Sequence, residues 1–149
     1  MELASVIFYG RSINNTVPHR FLPRSKGGLF AWSAVGASPE VILVEGLFDL
    51  AVLWQAGFVH TTCAFGTHLT QRQFFQLSDN PNRTVSIAFD PDPNGAGQSA
   101  AHSLAQRLRS VGLKACIVDL PEEQDPNSYF ASGATSSDFD KRLHMARSL

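Results

Sequence analysis

Two aspartates one residue apart follow directly on an apolar run, and their types and spacing could support metal chemistry. The run Thr84 to Phe89 has the β-branched and aromatic composition of a strand, and Asp90-Pro91-Asp92-Pro93 follows it. A residue before proline favours extended geometry, in which side chains two residues apart point to the same side. Neighbouring carboxylates repel one another unless a cation lies between them, and hard divalent cations prefer oxygen ligands. The pair indicates either a divalent metal site or an acidic surface turn, and this stretch alone does not decide between them.

Three further acids occupy comparable positions. Glu45 comes directly after the apolar run 41–44, and Asp49 lies in the first turn of a helix predicted from Leu47 to Ala56. The helix dipole accounts for Asp49, whereas Glu45 directly follows buried aliphatic residues and is expected to need a partner. Asp125 precedes a proline, as a helix N-cap often does, and its loop also follows a predicted strand.

The elements that position these acids alternate between strand and helix. Strands are predicted at Val6–Tyr9, 41–44, Val59–Ala64, 84–89 and Lys114–Asp119. The alternation predicts an α/β fold, an open and mainly parallel sheet of about four to five strands with helices on both faces, plus a short N-terminal β/loop extension. Parallel strands end at one edge of a sheet, and ligands bind in the crevice there. The acids are therefore expected to meet at that edge.

The predicted helices show apolar faces. A helix behind Thr70 as N-cap is expected over 71–77, and another follows the Asp90 loop and ends at Gly112. A polar amphipathic helix is expected over 136–149. The residues predicted to face the core are Phe74, Leu77, Ala101, Leu104, Ala105, Leu108, Val111, Phe139, Leu143 and Met145.

Composition limits the class of protein. The 149 residues are 44% hydrophobic and 17% charged, which is typical of one soluble globular domain. The sequence contains no apolar run of membrane-spanning length and no export signal, so a cytoplasmic location is expected. Cys63 and Cys116 lie in apolar runs without zinc-site spacing, so both are expected to pack as small hydrophobic residues in a reducing compartment. The net charge of −1 gives no overall bias toward nucleic acid.

A local basic patch precedes the first acids. No acid occurs between Ser5 and Pro39, and the bases there are interleaved with Phe21 and Phe30. Such a patch suits phosphate contacts beside base stacking, although a solvated loop that covers the edge of the core would have the same composition. The basic residues are Arg11, His19, Arg20, Arg24 and Lys26.

The acids together indicate a reaction class. Several carboxylates gathered at one edge without a matching number of lysines or arginines need divalent metal. The sequence contains no phosphate-binding loop ending in lysine, no spaced histidine pair and no nucleophile-elbow serine. Metal-assisted phosphoryl transfer is the class that these residues favour.

Three motifs carry a resemblance to a known family. Val44-Glu45-Gly46-Leu47-Phe48-Asp49, Phe65-Gly66-Thr67 and Phe89-Asp90-Pro91-Asp92 resemble the Toprim domain of bacterial DnaG-type primases, type IA and II topoisomerases and small nucleases. Gly10-Arg11, the segment 26–30 and the acidic loop that contains Asp125-Pro126-Asn127 resemble the primase branch. The resemblance implies an N-terminal extension over 1–39, a Toprim domain over 40–133 and a C-terminal helix over 134–149.

The resemblance also implies roles for individual residues. Glu45, Asp90 and Asp92 match the catalytic acids, with Glu45 a metal ligand or general acid/base and the two aspartates a metal-holding pair for Mg2+ or Mn2+. Asp49 and Asp125 match accessory acids of the metal site. Contacts to template or nucleotide phosphates are expected from Arg11, Arg24, Lys26, Gly66 and Thr67.

The implied function is that of the catalytic module of a larger primase-like protein. It would make RNA primers on single-stranded DNA from nucleoside triphosphates, and it would reach a replicative helicase through regions outside this chain. Asn127 stands where the family often has a second aspartate, which is expected to weaken a second metal site. Two alternatives remain open, a Toprim nuclease that uses water as nucleophile and a non-catalytic module that binds nucleic acid or protein.

Overall fold

A four-stranded parallel sheet forms the centre of the fold, as the sequence predicts. The computed structural model of the protein describes residues 9–10, 12, 14, 20–21, 27–91, 94–121 and 124–148. Two short strands near the N-terminus pair antiparallel, and the other four form the parallel sheet in the order β4-β3-β5-β6. The strands are β1 (Tyr9–Gly10), β2 (Arg20–Phe21), β3 (Glu40–Val44), β4 (Thr61–Cys63), β5 (Thr84–Ala88) and β6 (Lys114–Ile117). The predicted strand 6–9 lies mostly outside the described residues.

Helices cover both faces of the parallel sheet. They are α1 (Trp32–Val35), α2 (Leu47–Gln55), α3 (Gln71–Ser78), α4 (Ala96–Ser110), α5 (Pro126–Ala131) and α6 (Ser136–Arg147). Val41 and Leu43 pack with α1, α3 and α4, whereas Ile42 and Val44 pack with α2, α5 and α6. Alternate residues of β3 thus enter opposite cores, which explains why this strand reads as a continuous apolar run.

Local sequence signals predict where the helices begin and end, but two residues that were predicted to face the core are exposed. Thr70 caps α3 through a capping box in which Gln73 N donates to Thr70 Oγ1 at 3.2 Å. Val111 was predicted to face the core but is 52% exposed, because α4 ends one residue earlier. Met145 was also predicted to pack, yet it is 68% exposed on α6, where Ala146 is buried instead.

No helix in the described ranges is both long enough and apolar enough to cross a membrane.

A buried arginine joins elements at the amino end of the sheet. Arg83 immediately precedes β5, is 1% exposed and lies 4.8 Å from the centre of the Trp32 ring. Its guanidinium donates to the carbonyls of Gln76 and Leu77 at 2.8 Å each and pairs with the Asp79 carboxylate. Because these acceptors belong to the end of α3 and its C-cap, Arg83 ties the end of α3 to the strand that leads toward the candidate site.

The segment before α1 lies along the β4 edge of the sheet. Phe30 N donates to Cys63 O at 3.2 Å, and Thr62 Oγ1 donates to Phe30 O at 2.7 Å. Leu29 N donates to Gln76 Oε1 at 2.7 Å. The first of these bonds satisfies a carbonyl of β4, an edge strand whose backbone groups would otherwise be open to pairing with another chain.

Leu104→Ala tests the assignment of the α4 face. Leu104 is 4% exposed and belongs to the core between α4 and the sheet, so truncation is expected to lower the free energy of unfolding by roughly 2–5 kcal/mol. Met145→Ala is the matched control, a helical truncation at an exposed position that should cost less than about 0.5 kcal/mol. Urea unfolding of both variants measures the difference, and equal costs would contradict the packing described here.

Candidate metal centre

The register of two central strands brings two acidic loops to one edge. In the parallel pairing of β3 with β5, Val44 lies opposite Ala88. Glu45 is the next residue after Val44, and Asp90 is the second residue after Ala88. Adjacent strands lie about 4.8 Å apart. The two acids therefore leave the sheet side by side at its carboxyl edge.

Three carboxylates meet at this edge. Asp49, Asp90 and Asp125 each offer an oxygen, and these atoms all lie within 4.8 Å of one another. Asp49 is 5% exposed, the other two are partly buried, and the Asp90 Oδ1 atom is shielded from solvent. Each comes from a different strand–helix unit. Within the described ranges these three form the one group of this kind, so the group does not include Glu45.

The amino terminus of α5 holds two of these carboxylates. Ser128 N donates to Asp125 Oδ1 at 2.6 Å, so Asp125 caps α5 as its sequence context predicts. Asn127 N donates to Asp49 Oδ1 at 3.2 Å across the gap between α2 and α5. Two backbone amides at a helix amino terminus thus stabilise two like charges that would otherwise drive the helices apart.

Burial makes ionisation of Asp49 costly. Desolvation, followed by the nearby Asp125 charge, raises the pKa of Asp49 from 3.8 to about 6, although amide hydrogen bonds from Asn127 and Gly46 act in the opposite direction. A divalent cation would favour the ionised form, since an opposite charge close to a carboxylate lowers its pKa. The ligand set consists entirely of oxygens, which fits a hard divalent metal.

Gly46 leaves room for the Asp49 carboxylate. A Cβ atom at position 46 would lie 2.7 Å from Asp49 Oδ2. The Gly46 backbone has φ −109° and ψ 160°, an extended conformation open to any residue. The requirement for glycine is therefore steric and concerns the position of the carboxylate rather than the backbone.

A tight loop links Glu45 to the segment after β4. Gly66 N donates to Glu45 O at 3.1 Å, which fixes the backbone at the acid. Phe65 and Gly66 have φ values of 56° and 118°, so the chain turns sharply here and includes a non-glycine residue in the left-handed region. Thr67 follows on the same edge. The loop thus holds the residue next to Thr67 against the backbone of Glu45.

The predicted site residues divide into three groups. Asp49, Asp90 and Asp125 are brought together, while Glu45, Gly66 and Thr67 lie at the same edge outside that group. The remaining predictions fall outside the described residues, namely Arg11, Arg24, Lys26 and Asp92. Sequence reasoning missed the Asn127 amide and the Gly46 contact. A glycine three residues before a helical aspartate was the one available signal for the latter.

Comparisons with known proteins agree with the fold. Residues 42–130 match the family described as Toprim-like. DNA primase of Geobacillus stearothermophilus is 36% identical over 90 residues, which are 60% of this chain and 14% of that primase. The crystal structure of the Aquifex aeolicus primase zinc-binding and RNA polymerase domains gives a TM-score of 0.78 at 30% identity, covering 94% of this chain and 36% of that one. The structure of the DnaG primase catalytic domain bound to ssDNA gives 0.74 at 25% identity, covering 94% and 47%.

Each of the three relatives is much longer than this chain. The chain spans less than half the length of each of the three. The matched region contains the whole carboxylate group, and the Toprim-like family together with that group indicates divalent metal binding.

The stability of the metal-free protein should depend on the ionisation of Asp49. Its pKa of about 6 lies above the ordinary 3.8, so the folded state keeps a proton that the unfolded chain loses. The penalty is small at pH 4, grows as the pH rises through 6 and is nearly constant above pH 7, at about 3 kcal/mol. Unfolding in chelator measures the free energy of unfolding of both proteins at pH 4 and pH 7. The value for Asp49→Asn relative to the native chain should rise between the two pH values by roughly that amount. A constant difference between the two proteins would contradict the raised pKa.

Gly46→Ala should destabilise the protein through one contact. The new methyl group meets the Asp49 carboxylate, and relief of that overlap is expected to cost roughly 1–3 kcal/mol. A double-mutant cycle with Asp49→Ala isolates the effect, because Gly46→Ala should be nearly neutral once the carboxylate is gone. Equal costs in both backgrounds would show that the glycine serves another purpose.

Proposed function

The chain belongs to the Toprim-like family, and from that premise we propose that it is the catalytic Toprim module of a DNA primase-like protein. Its reaction would be metal-dependent nucleotidyl transfer that extends an RNA primer on single-stranded DNA. The observation that carries the proposal is the group of three carboxylates at the carboxyl edge of a domain homologous to DNA primases.

Mg2+ or Mn2+ is the proposed cofactor. Asp49, Asp90 and Asp125 would hold it, and Asp92 would join them as the resemblance implies. When bound, such a metal neutralises charge on a triphosphate and favours ionisation of an attacking hydroxyl. Of the chain's own residues, Asp49 and Asp125 keep their positions through the α5 amides, so the ligand oxygens are already gathered before the cation arrives.

Glu45 is proposed as the proton acceptor. It directly follows β3, beside the end of the strand that leads to Asp90, and lies outside the three-carboxylate group. A base in this position would receive the proton of the primer 3′-hydroxyl as the new phosphodiester bond forms and pyrophosphate leaves. Gly66 and Thr67 would lie against nucleotide phosphates, and Thr67 would contact them through its hydroxyl. Arg11, Arg24 and Lys26 are proposed to contact template phosphates.

The proposed partners follow from the same assignment. A relative of this fold was solved as a complex with ssDNA, which supports single-stranded DNA as the template here. Nucleoside triphosphates would be the substrates, and a replicative helicase would be reached through regions that this chain does not include. The location consistent with these partners is the cytoplasm.

Asp90→Asn should abolish divalent metal binding. The substitution leaves two carboxylates of the three-carboxylate group, and relief of the repulsion among them should leave the metal-free fold at least as stable as before. Calorimetric titration with Mn2+ measures the affinity. Asp140→Asn is the matched control, because Asp140 is an exposed aspartate on α6 that belongs to no such group.

The reaction is tested in parallel with the metal. Primer synthesis should need single-stranded DNA, ribonucleotides and metal together, and Glu45→Gln should lose synthesis while it retains metal affinity. Cleavage of the DNA without ribonucleotides would instead identify a nuclease. A folded chain that binds no Mn2+ at millimolar concentration would contradict the catalytic proposal and leave a non-catalytic binding module.

A further inference from the structure

A groove of about 450 Å³ runs along one side of α4. Thr67, His68 and Leu69 form one wall, and one face of α4 forms the other. The α4 wall includes Ala96, Ser99, Ser103 and Arg107. Ser99, Ser103 and Arg107 are exposed. The groove therefore combines hydroxyl groups and a guanidinium on an accessible surface.

One end of the groove is formed by residues that follow loops at the carboxyl edge of the sheet. Thr67 follows Gly66, whose amide is bonded to the Glu45 carbonyl, and Ala96 begins the helix that follows the Asp90 loop. From Ala96 to Arg107 the helix rises by about 16 Å. The groove thus extends along α4 from the carboxyl edge of the sheet, which is the edge at which the acids lie.

Charge is distributed unequally between the two faces of the sheet. Helices α3 and α4 contain three arginines and no acid, namely Arg72, Arg107 and Arg109. Asp79, the C-cap of α3, pairs with the buried Arg83. On the other face, α2, α5 and α6 with their N-caps carry four aspartates, Asp49, Asp125, Asp138 and Asp140, against Lys141, Arg142 and Arg147. The groove lies on the positive face of a chain whose net charge is −1.

Arg107 is placed so that its charge faces the groove. Its guanidinium lies 4.6 Å from the centre of the Phe74 ring of α3, and the residue also lines the groove. Stacking on an aromatic ring restricts the side chain without neutralising it, so a fixed cation remains accessible to an anion. Ser103, one helical turn closer to the metal centre, adds a hydrogen-bond donor on the same face.

We propose that this groove binds the sugar-phosphate backbone of the single-stranded nucleic acid that enters the metal centre. The inference rests on the proposed function for the identity of the strand, but its physical basis is separate. Positive charge, hydroxyl donors and an open shape match a polyanion rather than a small ligand that must be enclosed. The contacts go to the backbone, so binding along α4 carries no sequence preference.

The test measures binding of a fluorescent oligothymidylate by anisotropy in chelator, where the metal centre plays no part. Arg107→Gln should weaken binding by roughly three- to tenfold at low salt and reduce the slope of log affinity against log salt by about 0.7, as expected for one lost phosphate contact to a single strand. Ser103→Asp should weaken binding further through repulsion. Lys141→Gln and Ser137→Asp, at exposed positions on α6, are the matched controls and should leave both quantities unchanged.

Thermal unfolding and Mn2+ calorimetry accompany each variant, so that a loss of fold or of the metal site is recognised. Arg107→Gln and Ser103→Asp should retain native stability and metal affinity. The groove proposal is overturned if native protein does not bind the oligonucleotide at low salt, or if groove and control variants behave alike. Failure of the proposed function is recognised separately, because the native chain would then bind no Mn2+ in calorimetry. The binding experiment in chelator would still test the groove in that case.

Discussion

The parallel register of β3 and β5 is the constraint on which the site depends. Val41 and Leu43 enter one core while Ile42 and Val44 enter the other, so a slip of one residue would exchange the two sets of side chains. Burial on both faces of the sheet therefore fixes which residues directly follow the last residue of each strand. The edge that results places Glu45 and Asp90 on adjacent strands, and α2 and α5 add Asp49 and Asp125.

Charged groups are stabilised differently at the two ends of the sheet. At the amino end, Arg83 is buried among carbonyl oxygens and the Asp79 carboxylate, so a single cation stabilises the junction of several elements. At the carboxyl end, three carboxylates are gathered, and two α5 amides offset only part of their repulsion. Desolvation by burial, followed by the remaining repulsion from Asp125, raises the pKa of Asp49. The gathered carboxylates thus destabilise the metal-free fold at the carboxyl end of the sheet, where a bound cation would offset their repulsion.

Local signals predicted most of the fold, and tertiary contacts account for what they missed. The apolar run at β3, the Thr70 cap and the Asp125 cap each reflect interactions within a few residues, so the sequence reveals them directly. Met145 was misplaced because several registers of a short polar helix satisfy the same period, and only packing selects one. The Asn127 amide reaches Asp49 across 78 positions of sequence, and the basic face of α3 and α4 exists only once both helices lie on one side of the sheet.

A crystal of the protein grown with Mn2+ would show whether Asp49, Asp90 and Asp125 form the proposed divalent cation site. We expect an anomalous difference peak among these three carboxylates, with oxygens of all three in the coordination shell and the Asn127 amide still bonded to Asp49. A peak confined to other acids, or well-ordered carboxylates with no peak among them at saturating Mn2+, would contradict it.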